Sequence, residues 1–291
     1  MEFFVEKRVL NLGLKIKFVI INGVDNSKKS SYLSNNLNTL INKYKNLDVE
    51  NDSILVGFHK IHEKGNISKR KNIPASENLI RLLKENNDIY NINPLVDIYN
   101  AISIDSKLCL GAHDIDKTDG NVTLRFHTGN ENYNPLGDNT SHKVKLNEYS
   151  YIDDNNDILC RLEVRQVEKT KVTEESKNIF YIVEGNEETS DDYLLDVCNK
   201  IIDITTNELG GNGYIKDVNI IWYLRHCIVL KDNLGPKIIF SQLMDLDWII
   251  ISKSGSSFLR INSALPRKIT KIILNNLYIM LSNGIGLRWI W

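Results

Sequence analysis

The sequence predicts an α+β fold with a mixed or antiparallel sheet. Between Leu108 and Glu184, short β-branched runs alternate with turn residues, the pattern of strands. Apolar residues at helical spacing flank that stretch: Leu33, Leu37, Leu40 and Ile41 before it, Leu194, Val197 and Ile201 after it. The 291 residues are 42% hydrophobic, with 36 Lys+Arg against 37 Asp+Glu. That is apolar enough for a core and too balanced for a disordered chain. Sixteen Gly and five Pro exclude a fibrous protein. Four cysteines without a CxxC pair argue against a disulfide scaffold or zinc ribbon. No run of about 18 uncharged apolar residues predicts a membrane span. The opening residues lack the basic-then-apolar order of a signal peptide, so a reducing cytoplasm is expected.

Taken in order, Lys15–Ile21 reads as a strand and Gly23–Ser27 as a turn into a helix carrying Leu33–Ile41. Ile54–Phe58 is a short apolar run, followed by a charged connection over 60–71. Pro74-Ala75-Ser76-Glu77 opens a helix with Leu79, Leu82 and Leu83. Asn93-Pro94 opens another, since proline is tolerated in a first turn. Asp97 and Asn100 share a face of it. A Gly-Ala-His-Asp-Ile-Asp loop holding His113, Asp114 and Asp116 comes next. Val122–Phe126, Tyr149–Ile152, Ile158–Leu162 and Ile179–Glu184 read as strands, and Asp191–Thr205 as a helix.

Gly210–Gly213 is the best linker candidate, dividing a domain over 1–209 from a module over 214–291. Residues 1–209 carry 26 basic and 33 acidic side chains, net −7; residues 210–291 carry 10 and 4, net +6, with all four tryptophans. Such asymmetry points either to nucleic-acid contact or to two modules of different origin. In the second module, 220–224, 237–240, 248–252 and 257–261 read as strands and 266–281 as a helix, a small α+β unit. Arg260, Arg267, Lys268 and Lys271 with Trp248 and Phe258 could make an RNA-facing surface, but the first reading is a β-rich module whose basic helix packs on the first domain or a partner.

Single motifs are weak. Gly23 to Ser30 has P-loop spacing, but Lys28 stands where the last glycine must let backbone amides close on a phosphate. A phosphotransferase is therefore a distant alternative. His59 and His62 are i,i+3 neighbours, yet zinc needs three or four ligands, so solvated histidines are expected and no metal or other cofactor. Cys109, Cys160, Cys198 and Cys227 read as core thiols. Asp114 and Asp116 read as caps before acid–base groups.

The run of segments in order is more specific. Gly23–Ser27, Pro74–Glu77 with Leu79 and Leu82-Leu83, Asn93-Pro-Leu-Val-Asp97-Ile-Tyr-Asn100, Gly111-Ala-His-Asp-Ile-Asp-Lys117, Gly120–Arg125, Pro135-Leu-Gly137, Ile158–Arg161, Arg165, Thr170–Asn178 and Val183-Glu184-Gly185 together resemble the B3/B4 domain. That domain occurs in the β subunit of phenylalanyl-tRNA synthetase and in freestanding bacterial and archaeal proteins. The resemblance covers about residues 10–209 and implies a B3/B4-like sheet with flanking helices.

In the synthetase the domain hosts an editing site that hydrolyses the ester of tyrosine wrongly attached to its tRNA. The resemblance therefore implies an aminoacyl-tRNA deacylase acting in trans, with tRNA as partner and no membrane. A non-catalytic tRNA or amino-acid binder is the alternative. An activated ester needs a positioned water and a stabilised oxyanion, without metal or covalent nucleophile. The implied roles are catalytic for His113, Glu184 and Thr173. They are pocket-forming for Asn93, Asp97, Asn100 and Asp114, and tRNA-binding for Arg125, Arg161, Arg165 and Lys171. The synthetase's editing histidine falls on Gly111 here, two residues before His113.

Overall fold

The computed structural model describes residues 1–221 except Asn139, together with the backbone of four short strands between residues 227 and 259. Two compact units result, Met1–Ile221 and Trp222–Trp291. The first opens with β1 (Phe3–Glu6), α1 (Lys7–Leu10) and β2 (Lys15–Asn22). Four helices follow: α2 (Tyr32–Tyr44), α3 (Ser53–Lys64), α4 (Ala75–Asn86) and α5 (Pro94–Ser106). Then come β3 (Cys109–Asp114), β4 (Val122–Phe126), β5 (Tyr149–Asp153), β6 (Ile158–Arg161), β7 (Arg165–Gln166) and β8 (Asn178–Gly185). The unit closes with α6 (Asp191–Leu209), β9 (Asn212–Lys216) and β10 (Val218–Ile221).

The fold is α+β, with one mixed and one antiparallel sheet. The first sheet has the order β10-β1-β4-β5-β6-β7, with β1 parallel to both neighbours. The second has the order β3-β8-β2-β9 and is antiparallel throughout. Strand alternation sends successive side chains to opposite faces, and β2, β3 and β8 are buried on both. One face joins Phe18, Cys109, Phe180 and Ile182 to Phe3, Tyr149, Tyr151 and Leu159 of the first sheet. Phe3 stacks on Phe18 at 4.0 Å and meets the Phe180 ring edge-on at 5.2 Å. The other face joins Val19, Ile21, Tyr181 and Val183 to α5 and α6. A third cluster unites α2, α3, α4 and α5.

Helix ends follow local chemistry. Asp52 caps α3 by accepting from the Ile54 and Leu55 amides at 3.2 Å. Asn93 caps α5 ahead of Pro94, accepting from Val96 at 3.2 Å. Asn87 and Lys107 end α4 and α5 in the left-handed region.

Several expectations change. The apolar run 54–58 and half of the charged connection form one helix, α3, whose charged residues alternate with a buried stripe that includes His59 and His62. Those histidines are buried on glutamates, not solvated. The expected Gly-Ala-His-Asp loop is the body of β3, because its residues pair with β8 along the whole strand. In the P-loop-like turn, Asp25 accepts from the Ser27 amide and hydroxyl. The turn's buried Asn26 bonds the Leu95 amide, Asn93 and the Thr173 carbonyl, which locks it onto the start of α5. Gly210 and Gly211 have positive φ and form a tight turn into β9, which pairs with β2.

In the second unit, β11 (Cys227–Asp232), β12 (Gly235–Phe240), β13 (Ile249–Ile251) and β14 (Phe258–Leu259) form an antiparallel meander. The helix expected at 266–281 lies outside the described residues, as do the side chains of the expected RNA-facing surface and of Cys227.

Candidate functional site

Where β3 and β8 meet the β6–β7 hairpin and helices α4 and α5, they leave a cleft of about 490 Å³. Glu184 and Ile182 of β8, Cys109 and Gly111 of β3, Cys160, Glu163 and Gln166 of the hairpin, and Tyr99 and Asn100 of α5 line it. Gly111 keeps one wall low: a Cβ there would stand 2.8 Å from Gln166 Nε2. Gln166 Nε2 donates to the Ala112 carbonyl at 3.4 Å, which holds the amide over β3.

Two buried glutamates face the cleft, one from each sheet. Glu184 comes from the second sheet, and its Oε1 accepts from the Tyr151 hydroxyl at 2.6 Å. Glu163 sits in the β6–β7 turn, where Leu162 takes φ 53° and its own carbonyl anchors the Ala75 amide at 2.9 Å. Its Oε2 accepts from Tyr149 at 2.8 Å, and its Oε1 forms an ion pair with His62. Both partners of that pair are fully buried.

The two carboxyls are driven apart electrostatically. Burial and the neighbouring Glu163 charge push Glu184 well above the usual carboxylate range, and the Tyr151 hydrogen bond only partly offsets them. Burial also pushes Glu163 upward, but the attraction of His62 and the hydrogen bonds it accepts outweigh that and hold it below the usual range. Burial works against a charged His62, and Glu163 carries it above the ordinary histidine value. The pair therefore favours an anionic Glu163 beside a protonated His62, and the neutral form of Glu184. Burial raises the Cys109 and Cys160 thiols well above their normal range, so neither is a thiolate nucleophile.

Among the residues singled out by sequence, Glu184, Asn100 and Arg165 converge on the cleft. His113 shares a β3 face with Gly111 but lies deeper, fully buried and stacked on Phe180 at 5.1 Å. Its Nδ1 meets the Thr170 hydroxyl at 2.8 Å, and burial drops it to about 3, so the ring is neutral. Asn93 is spent on its cap and on the Val172 carbonyl. Asp97 accepts from the Ile92 amide at 2.8 Å. Asp114 caps the 3-10 turn Ile115–Lys117 and takes the Ser176 hydroxyl at 2.6 Å. The Thr173 amide donates to Ser176 Oγ, and its carbonyl holds Asn26.

Of the arginines, Arg125 is committed to Glu131, Asn156 and the Phe126 carbonyl. Arg161 forks onto Glu148 at 2.8 and 2.9 Å and reaches Asn72. Lys171 pairs with Glu168. Arg161 and Arg165 line a second cavity of about 260 Å³ with Lys143 and Lys145. Because Arg165 lines both cavities, it marks where they adjoin.

Sequence reasoning passed over Glu163, Gln166, Tyr151 and the cleft role of Gly111. The one available signal was Glu163 itself, an acid between apolar Leu162 and Val164.

Asp119, Asp153 and Asp157 cluster tightly enough for a metal ion. Lys169 Nζ already lies 2.6, 2.7 and 2.6 Å from their oxygens, so an ammonium supplies the positive charge. No described helix is long and apolar enough to cross a membrane.

Residues 65–193 match the family model described as the B3/4 domain, a shorter span than the resemblance read from sequence. No curated protein matches the chain. Among solved structures, it is similar to an N-terminal fragment of the phenylalanyl-tRNA synthetase beta-subunit from Pyrococcus horikoshii. The identity is 15% and the TM-score 0.42, over 76% of this chain. The match spans about half of that fragment, 51%. Residues 65–193 are thus similar to the B3/4 domain, and every residue lining the cleft falls within them.

Proposed function

We propose that the chain binds the aminoacylated 3′ end of a tRNA and hydrolyses the ester of a mischarged amino acid. The observation that carries this reading is the coincidence of the cleft with the B3/4-like span: all of its lining, from Arg70 to Glu184, comes from that stretch. Its volume suits one amino-acid residue and a ribose, within the usual range of small-ligand sites.

In this reading the neutral Glu184 carboxyl reads the amino-acid side chain as a hydrogen-bond donor. Tyr151 occupies Oε1, and no described hydrogen bond uses Oε2. The Asn100 and Gln166 amides supply donors and acceptors for the ester and for a water. Water adds to the ester carbonyl carbon, the bond to the ribose oxygen breaks, and that oxygen leaves with a proton. The products are the free amino acid and uncharged tRNA. No acid–base side chain with an ordinary pKa is required if a ribose hydroxyl orients the water.

The test is a panel of mischarged tRNAs with wild type, Glu184→Gln and Glu184→Ala. Glu184→Gln retains turnover because an amide also donates, whereas Glu184→Ala loses about tenfold or more in kcat/KM. Turnover no faster than in buffer on every member overturns the proposal. A second reading, a binder without catalysis, is favoured by Gly111 and by the buried, neutral His113, which leave no imidazole among the lining residues. It expects tRNA binding with the ester intact.

A further inference from the structure

The 3-10 turn Lys69–Lys71 places three cations beside the cleft, and Arg70 and Lys71 line it. All three side chains are exposed, and none is paired with a described carboxylate. Other lysines, such as Lys28, Lys29, Lys45 and Lys177, also lack a described carboxylate partner, but only here do three such cations stand in sequence at the mouth of the cleft. Lys43, Lys60, Lys64, Lys107, Lys169, Lys171, Lys200 and Lys216 each sit on an acid. Arg165, across the mouth, is exposed and spends only one donor, on the Leu136 carbonyl at 3.1 Å. In the adjoining cavity Lys143 is exposed and unpaired. The acids there are already engaged: Asp138 with His142 at 2.7 Å, and Glu148 with Arg161 at 2.8 Å.

We infer that Lys69, Arg70, Lys71, Arg165 and Lys143 form a phosphate track for the single-stranded 3′ end of an RNA, running from the cleft mouth into the adjoining cavity. The inference rests on the proposed function for the occupant of the cleft, but the track is defined by its own unpaired charge. Uncompensated cations raise the local potential and attract a polyanion, and each phosphate they neutralise releases a counterion. The cleft takes the terminal residue, and the 260 Å³ cavity takes the nucleotide before it.

The experiment uses a fluorescently labelled, non-aminoacylated RNA hairpin with a single-stranded 3′ tail, titrated with the full chain over a salt series. The variants are Lys69→Ala/Arg70→Ala/Lys71→Ala and Arg165→Ala, with Lys28→Ala/Lys29→Ala as control on exposed lysines elsewhere. Thermal unfolding confirms that each variant is folded. The triple variant is expected to flatten the slope of log K against log salt by about 2, at roughly 0.7 for each phosphate no longer neutralised, and to bind at least about tenfold more weakly. The control binds like wild type. Absent binding by wild type, an unchanged slope in the triple variant, or an equal loss in the control overturns the track. Ester hydrolysis run in parallel separates the two proposals. A salt-dependent loss with no hydrolysis by any protein keeps the track and removes the deacylase. Hydrolysis by the triple variant at an unchanged KM does the reverse.

Discussion

The pair His62–Glu163 offers the sharpest test of the electrostatics under the cleft. In the His62→Gln variant the shape is nearly kept while the cation goes. Glu163 is then an uncompensated buried carboxylate, a state that costs about 3–5 kcal/mol when one partner of a buried pair is removed. It escapes by taking a proton, at a cost of about 1.4 kcal/mol for each pH unit above its ordinary value of 4.5. The wild-type pair is level between pH 5 and 6.5. Glu163 is held low, so its stabilisation is complete above 4.5 and is lost only on stronger acidification. His62 is held high, so its stabilisation is complete below 6.5 and is lost as pH rises through its folded value. Burial raises Glu184 well above the carboxylate range, so it favours its protonated form in the wild type. The destabilisation by His62→Gln should therefore grow with pH, by about 2 kcal/mol between pH 5 and pH 6.5. Urea unfolding of the two proteins at both pH values measures it. An equal loss at both would refute the assignment of Glu163 as the ionised member.

Three further outcomes are expected. Lys169→Met leaves Asp119, Asp153 and Asp157 facing one another, so melting should fall by about 3–6 °C and millimolar calcium should restore it in the variant alone. His113 should show no ring titration by NMR from pH 5 to 8. Its folded value near 3 means the native state refuses a proton that the unfolded chain accepts below about 6.5, which weakens the fold progressively in acid. Gly111→Ala should fold at a small cost, because its Cβ would stand 2.8 Å from Gln166 Nε2 and displace only the end of that side chain and its bond to Ala112, yet it should raise KM for any ligand of the cleft by narrowing the wall.

Much of the fold was legible because its signals are local. Val122–Phe126 is found where the alternation placed it, and the Asn93-Pro94 cap opens α5 as composition required. The failures share one cause. In α3, His59, His62 and the flanking lysines hid a helix whose buried stripe depends on Glu77 and Glu163, partners 18 and 101 positions away. In β3, Gly111 and Asp114 look like turn residues until β8 pairs with them. The cleft shows the same division. Glu184, Asn100 and Arg165 stand on elements with strong local signals. Glu163 and Gln166 reach the cleft through a tight hairpin, and Tyr151 through the facing of two sheets, which no spacing along the chain encodes.

The position of β1 has a consequence for the order in which the protein is made. β1 is synthesised before both of its neighbours, β4, beginning at residue 122, and β10, beginning at residue 218. At roughly 5–20 residues per second, the second edge of β1 waits about 10–40 s for its partner to leave the ribosome. Until then Phe3, destined to stack on Phe18, belongs to a strand with an open edge. A nascent chain stalled before residue 218 should therefore be held by chaperones, and release should follow the emergence of β10.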